Sequence, residues 1–290
     1  MKTNDQVAIS VIVPVYNEEE ILSSVMRELK EAMSSSSYGY EIIAVDDGSE
    51  DGSSKILDNI EGIRVIHNTA NLGYGASLKR GIKEAKGEYI LTIDADGTYP
   101  AQSIPSLINQ MDQYDMVVGA RTGKHVKIPF FRMPAKKFLS VLANFLSGRK
   151  IPDLNSGLRI FRKNIALEFF HLLPHGFSFT TTITLAALTN DYSVKFITID
   201  YFKRKGKSSI HPIKDTVNFV SLIIRIIVYF RPLRFFIPIS MLLFLSSIFV
   251  WAYGWFLFHT LFSSTIVILG VASIQIALFG LIADLIVRKR

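Results

Sequence analysis

Short β-branched runs alternate with amphipathic stretches over the first hundred residues. "VAISVIVPVYN" (7–17) is an apolar run closed by a turn, which predicts a buried strand. "EEEILSSVMRELKEAM" then places apolar residues at helical spacing. "EIIAVDDGS" (41–49) predicts a second strand, and "DGSSKILDNI" a helix with Asp51 or Ser53 as N-cap. "IRVIHN" (63–68), "GASLKRGIKEAK" and "EYILTIDAD" (88–96) repeat the pattern as strand, helix and strand. The alternation predicts βαβ units and a mainly parallel, doubly wound α/β sheet. Such sheets bind ligands beyond the carboxyl ends of their strands. The polar clusters Tyr16-Asn17-Glu18, Asp46-Asp47-Gly48 and Asp94-Ala95-Asp96 all fall there, so they should converge on one crevice.

Beyond residue 100 the pattern loosens. "DMVVGAR" (115–121) predicts a strand, "DLNSGLRIFRK" (153–163) a turn and strand, and "YSVKFITIDYFKRKGKSS" (192–209) a strand entering a basic loop. Residues 124–137 carry Lys124, Lys127, Arg132, Lys136 and Lys137. The organisation expected is a globular domain over 1–210, an amphipathic juxtamembrane helix over 211–232 and a membrane hairpin over 233–290. Two apolar stretches, about 235–258 and 264–287, are each long enough to cross a hydrocarbon core of about 30 Å. Basic residues flank them on the domain side and are missing from the short connection "FHTLFSS". The globular domain and C-terminus are therefore expected on the cytoplasmic face of a cell membrane or its ER equivalent. The N-terminal "MKTNDQVAIS" has no apolar stretch of signal-peptide length, so membrane attachment is expected at the other end.

Composition sharpens this picture. Of 290 residues, 49% are hydrophobic, concentrated after residue 230, and cysteine is absent, which removes disulfides and thiolate metal sites. The formal charge of +7 suits phosphorylated substrates or anionic lipid; no nucleic-acid-binding motif accompanies it. The histidines, His67 among them, show no metal spacing and take no role. "NLGYGASLKRG" lacks the Gly-Lys-Ser/Thr ending of a P-loop. Asp284 reads as an interfacial residue at the end of the second span.

The sharpest chemical signal is "ILTIDADGTYP" (90–100). Two carboxylates one residue apart at a strand end suit Mg²⁺ or Mn²⁺, hard cations that share oxygen ligands with phosphates. Together, "VIVPVYNEEE", "VDDGSEDGS", "NLGYGASLKRGIKEAKGEYILTIDADGTYP" and "SGLRIFRK" resemble glycosyltransferase family 2 across residues 7–210. With the two spans, the chain is similar to the polyprenyl-phosphate sugar synthases within it. That resemblance implies a GT-A fold, a nucleotide-sugar donor, a divalent metal and inversion at the anomeric carbon.

It also implies roles for particular residues. Pro14, Tyr16 and Glu18 would line the nucleobase and ribose pocket, with Asp46 on the base. Asp94 would lie against ribose and diphosphate, and Asp96 would ligate the metal. Thr98 stands where relatives often place a further metal ligand, a glutamine, so Asp94, Asp96 and Thr98 form the expected metal set. Arg121, Arg132 and Arg204 match basic positions near the acceptor phosphate. Ser156, Gly157 and Arg159 match a segment that shapes the acceptor side.

The acceptor follows from what is missing. Transfer to a hydroxyl needs a general base near its proton. "FSFTTTITLAALTND" (177–191) carries threonines where hydroxyl-transferring relatives often carry acids. An anionic phosphate needs no base, only cations to hold it. The expected reaction moves one hexose from UDP-glucose or GDP-mannose to polyprenyl or dolichyl phosphate at the membrane. Transfer to a lipid or glycan hydroxyl, and a non-catalytic scaffold or nucleotide-sugar sensor, are the competing readings. A homo-oligomer is compatible with all of them.

Overall fold

The computed structural model describes residues 7–123, 141, 143–145, 147–176, 178–202, 212–258 and 263–288. Seven strands form one sheet: β1 (Ile9–Val15), β2 (Tyr40–Asp46), β3 (Arg64–His67), β4 (Tyr89–Thr92), β5 (Met116–Arg121), β6 (Arg159–Arg162) and β7 (Val194–Ile199). Their spatial order is β3-β2-β1-β4-β6-β5-β7. Strands β1 to β4 pair in parallel, as do β5 and β7. Only β6 runs antiparallel, wedged between β4 and β5.

Period-two alternation sends side chains to both sheet faces. Ile9, Val11, Val13 and Val15 meet helix α1 (Leu22–Ser34) through Leu22, Met26, Leu29 and Met33. They share that layer with Ile104 and Leu107 of α4 (Ile104–Ile108). Ile12, Ile43 and Val45 face the opposite layer. There they pack on Leu78 and Ile82 of α3 (Tyr74–Glu84), and on Phe179, Ile183 and Ala187 of a later helix, α6 (Phe179–Thr189). Burying each such aliphatic side chain contributes about 1.5–3 kcal/mol. The shorter helices α2 (Ser53–Asp58) and α5 (Lys163–Glu168) complete the layers.

The fourth strand is shorter than expected. β4 ends at Thr92, whose hydroxyl donates to the Gly157 carbonyl at 2.7 Å. The acidic pair therefore stands on the loop after the strand, turned by Gly97 at φ +69°. The turn and strand expected over 153–163 are found as an irregular 153–158, held by hydrogen bonds to Asp153 and Tyr99, followed by β6 from Arg159.

After the domain come α7 (Pro212–Phe230), α8 (Pro232–Phe258) and α9 (Ser263–Arg288). α7 docks on α6: Ile223, Ile226 and Ile227 bury against Leu185 and Leu188. At the α7–α8 break, Arg231 Nε donates to the Thr189 carbonyl at 3.1 Å, and Nη2 pairs with Asp191 at 3.0 Å. Pro232 opens the next helix, where a missing N–H costs nothing. Within α8 and α9, Pro232–Phe256 and Ser264–Val287 are long and apolar enough to cross a membrane. The two pack as a pair. Ser240 Oγ donates to the Ser273 carbonyl at 2.8 Å, and Ser247 Oγ to that of Ile266 at 2.9 Å. A Cβ on Gly280 would lie 2.7 Å from that of Phe236, so only glycine permits this approach.

Candidate active site

The loops after β1 and β2 are laced together. Asn17 N donates to Ser49 Oγ at 3.1 Å and Glu50 N to Asn17 Oδ1 at 2.8 Å. Glu19 N donates to Asp51 Oδ2 at 3.1 Å, and Gly52 N to Glu19 Oε2 at 2.9 Å. Asn17 adopts φ +53°, a conformation asparagine tolerates better than most residues. Asn17 and Glu19 thus hold the loops. Tyr16 is exposed on the rim, with Pro14 and Glu18 half-buried beside it.

The adjacent aspartates divide in the same way. Asp47 Oδ1 accepts from Asn68 Nδ2 at 2.6 Å and Leu72 N at 3.0 Å, and Oδ2 from Gly73 N at 2.8 Å. It fixes the turn into α3. Asp46 forms the wall of a cavity of about 460 Å³ that is also lined by Ser49, Ser54, His67 and Asn71. Ser49 N, Ser54 Oγ and His67 Nδ1 all reach its carboxylate. Burial works to raise its pKa, yet these hydrogen bonds hold the carboxyl below the usual range.

Asp94 follows β4, two residues beyond its end. Tyr74 donates its hydroxyl to Asp94 Oδ1 at 2.9 Å. Gly157 lies flat against the carboxylate: a Cβ there would stand 2.6 Å from Asp94 Cγ. Gly157 N in turn donates to the Tyr99 hydroxyl at 2.7 Å. Burial and the neighbouring Asp96 charge push the Asp94 carboxyl up to about 6 despite the Tyr74 hydrogen bond. Burial also drives the Tyr74 and Tyr99 hydroxyls upward, so both remain protonated donors. Thr98, expected among the metal ligands, is fully buried, and both its N–H (3.1 Å) and its hydroxyl (2.6 Å) donate to Asp96 Oδ1. These two hydrogen bonds tie Thr98 to Asp96.

Across the β4–β6 ladder lies the basic side. Arg121, ending β5, donates from Nε (2.7 Å), Nη2 (2.9 Å) and its backbone N (3.0 Å) to Asp153. Its guanidinium also stacks 5.0 Å from the Tyr201 ring centroid. Burial would raise the Asp153 carboxyl, but Arg121 holds it below the ordinary range. Ser156 Oγ donates to the Gly119 carbonyl at 2.5 Å. Arg159 is wholly buried: Nε and Nη2 donate to the Ser156 carbonyl, and Nη1 to the Thr180 carbonyl at 2.9 Å and Thr184 Oγ1 at 2.8 Å. Arg159 therefore shapes the 153–158 segment from underneath and has no free face for an acceptor. Arg132 and Arg204 lie outside the described residues.

Asp94 and Asp96 offer hard oxygen donors one residue apart, which fits a divalent cation shared with a diphosphate. Among the described residues, no third carboxylate or histidine completes a metal-binding group with them. Tyr74, Tyr99 and Asp153 were not marked by the sequence pattern. Tyr74 carries the one available signal, an aromatic hydroxyl at the mouth of a helix just after a glycine turn.

Known proteins frame this geometry. Residues 231–288 match the model of the GtrB C-terminal hairpin, which makes the two apolar helices a membrane anchor. An undecaprenyl-phosphate 4-deoxy-4-formamido-L-arabinose transferase from Proteus mirabilis is 35% identical over 162 residues, 54% of this chain and 49% of that protein. Its counterpart from Aeromonas hydrophila is 33% identical over 171 residues, 57% and 52% of the two chains. The match thus spans about half the length of these curated relatives. Glucosyl-3-phosphoglycerate synthase from Mycobacterium tuberculosis, solved with UDP, superposes with a TM-score of 0.59 at 16% identity, over 76% of this chain and 80% of that one. TarS from S. aureus, solved with UDP-GlcNAc, gives 0.57 at 18% identity, over 86% and 73%. These likenesses establish the GT-A fold. Residues 10–170, more than half of the chain, match the model of glycosyl transferase family 2, and the protein belongs to that family.

Proposed function

We propose that this protein transfers one hexose from a UDP- or GDP-sugar to polyprenyl phosphate at a membrane surface, with inversion and with Mg²⁺ or Mn²⁺. The observation that carries this reading is the Asp94–Asp96 pair after β4 and Arg121 at the end of β5, on either side of β6, in a chain ending in two apolar helices. The undecaprenyl-phosphate transferases named above support the choice of acceptor. Another M. tuberculosis synthase structure, with Mn²⁺ and UDP-glucose, supports a divalent cation.

In this mechanism Asp46 accepts from the base, Tyr16, Pro14 and Glu18 frame the nucleoside, and Asp94 and Asp96 hold the cation. When bound, that cation supplies charge for the departing diphosphate. Tyr74 and Gly157 fix Asp94, and Thr98 fixes Asp96. Arg121 directs Nη1 at the acceptor phosphate while Asp153 holds its other edge. Arg132 and Arg204 add charge to the same clamp. The acceptor is already anionic, so no proton has to move before it attacks opposite the leaving group. Arg231 and Arg234 at the start of the hairpin, with Arg288, Lys289 and Arg290 at its end, favour a cytoplasmic domain and C-terminus.

The test incubates membranes containing the protein with labelled UDP- and GDP-sugars and polyprenyl phosphate. A mild-acid-labile lipid product is expected. Label confined to acid-stable glycan would replace this reading with a hydroxyl acceptor, and no transfer at all would favour a scaffold or sensor.

A further inference from the structure

His67 closes β3 and stands in register with Asp46 of β2, so the two side chains emerge side by side at the sheet edge. Its Nδ1 lies 3.0 Å from Asp46 Oδ2, and its Nε2 lies 3.0 Å from Oδ1 of Asp58 at the end of α2. The ring forms part of the wall of the same 460 Å³ cavity. Ser54 Oγ also donates to Asp46 Oδ2, which fills both acceptor positions of that oxygen. Oδ1 accepts from Ser49 N at 3.0 Å, and the Ser49 hydroxyl also bonds the carboxylate.

We infer that His67 is a positioning residue for donor recognition: it clamps Asp46 so that Oδ1 is presented to a single ring N–H of a nucleobase. This rests on the proposed role of Asp46 on the base and adds the device that aims it. An ionised acceptor selects a base with a ring N–H beside a carbonyl, as in uracil or guanine. It rejects cytosine and adenine, whose corresponding ring nitrogen is an acceptor.

The charged groups around the ring are Asp46 on β2, Asp58 on α2, Glu50 on the cavity rim and Arg80 on α3. Arg80 Nη1 donates to the His67 carbonyl at 2.9 Å and to Asn68 Oδ1. The Asp46 hydrogen bond raises the imidazole pKa more than burial lowers it, with Asp58 adding to the rise. Both nitrogens then donate. Once the ring loses its proton only one can, and the Asp46 contact competes with Asp58 for it.

The experiment measures UDP, GDP and CDP binding to the full-length protein in detergent with Mg²⁺, between pH 5.5 and 8.5. Wild type, His67→Ala, His67→Asn and Asp46→Asn are compared, with a melting curve for each. His67→Ala is expected to weaken UDP or GDP binding about tenfold, and in turnover the loss falls on donor KM and not on kcat. His67→Asn keeps a donor at the Nδ1 position, so it restores binding and removes the decline with rising pH seen in wild type. CDP binds poorly to all four. If His67→Ala binds as wild type while Asp46→Asn does not, or if only the melting temperature moves, the positioning role is overturned. If Asp46→Asn also binds as wild type, the base-reading role of Asp46 fails with it.

Discussion

Gly157 has no side chain because the carboxylate of Asp94 occupies the place one would fill. The added Cβ would stand 2.6 Å from Asp94 Cγ, closer than atoms in real structures approach. The glycine precedes β6 and the aspartate follows β4, on neighbouring strands. Gly157→Ala must push Asp94 off Tyr74 or open the β4–β6 seam. A displacement near 1 Å costs about a hundredfold in turnover. Steady-state kinetics should show that loss while far-UV circular dichroism stays native.

On the proposed reading Asp96 would ligate the cation, and Thr98 would orient its carboxylate. Thr98→Val keeps the volume and removes the 2.6 Å hydrogen bond to Asp96 Oδ1. Losing an outer partner of this kind weakens metal binding about 10–100-fold. Asp96→Ala should abolish Mn²⁺ binding, read by electron paramagnetic resonance titration. Equal losses from the two variants would make Thr98 a ligand in its own right.

Asp153→Asn leaves the Arg121 guanidinium largely buried without a carboxylate. Breaking a buried pair by neutralising one partner costs about 3–5 kcal/mol, and chemical denaturation should show it. The pH dependence has a definite sign. Asp153 has a folded pKa below its ordinary value of about 3.9. Its stabilisation is therefore fully present above that value and lost as pH falls through the lower, folded one. Melting temperature of wild type should drop below about pH 4, and Asp153→Asn should drop less over the same window.

Gly280→Leu tests the hairpin. The new side chain would force α9 away from Phe236, and overpacking of this kind costs about 1–3 kcal/mol. A lower melting temperature in detergent, with unchanged donor binding by the soluble face, is expected.

The sheet was legible because β-branched runs and helical spacing both reported on it: all seven strands fall within stretches that the pattern marks. The acidic pair was legible for a different reason, since two carboxylates at a strand end are chemically conspicuous. What the pattern could not show is which polar residues serve the loops. Asp46 and Asp47 are neighbours of identical chemistry, yet one lines a cavity and the other ties down Leu72 and Gly73. Arg159 belongs to a segment expected to shape the acceptor side, and only the fold shows its charge met by carbonyls and a threonine. Tyr74, Tyr99 and Asp153 act through contacts 20 to 58 residues away in sequence, which no local spacing encodes.

The reversed strand β6 gives the molecule a natural joint. Because it runs against β4, its beginning and not its end reaches the crevice, and a ladder of four residue pairs, Tyr89↔Arg162 to Thr92↔Arg159, is the sheet's sole stitch between the two halves. On the proposed reading, residues before Pro100 would handle the donor and those after it would frame the acceptor. A protein built this way can exchange one kind of acceptor for another by rewriting the later segment alone, provided the small residue facing Asp94 is kept. Grafted chimaeras cut between 100 and 115 would follow that joint.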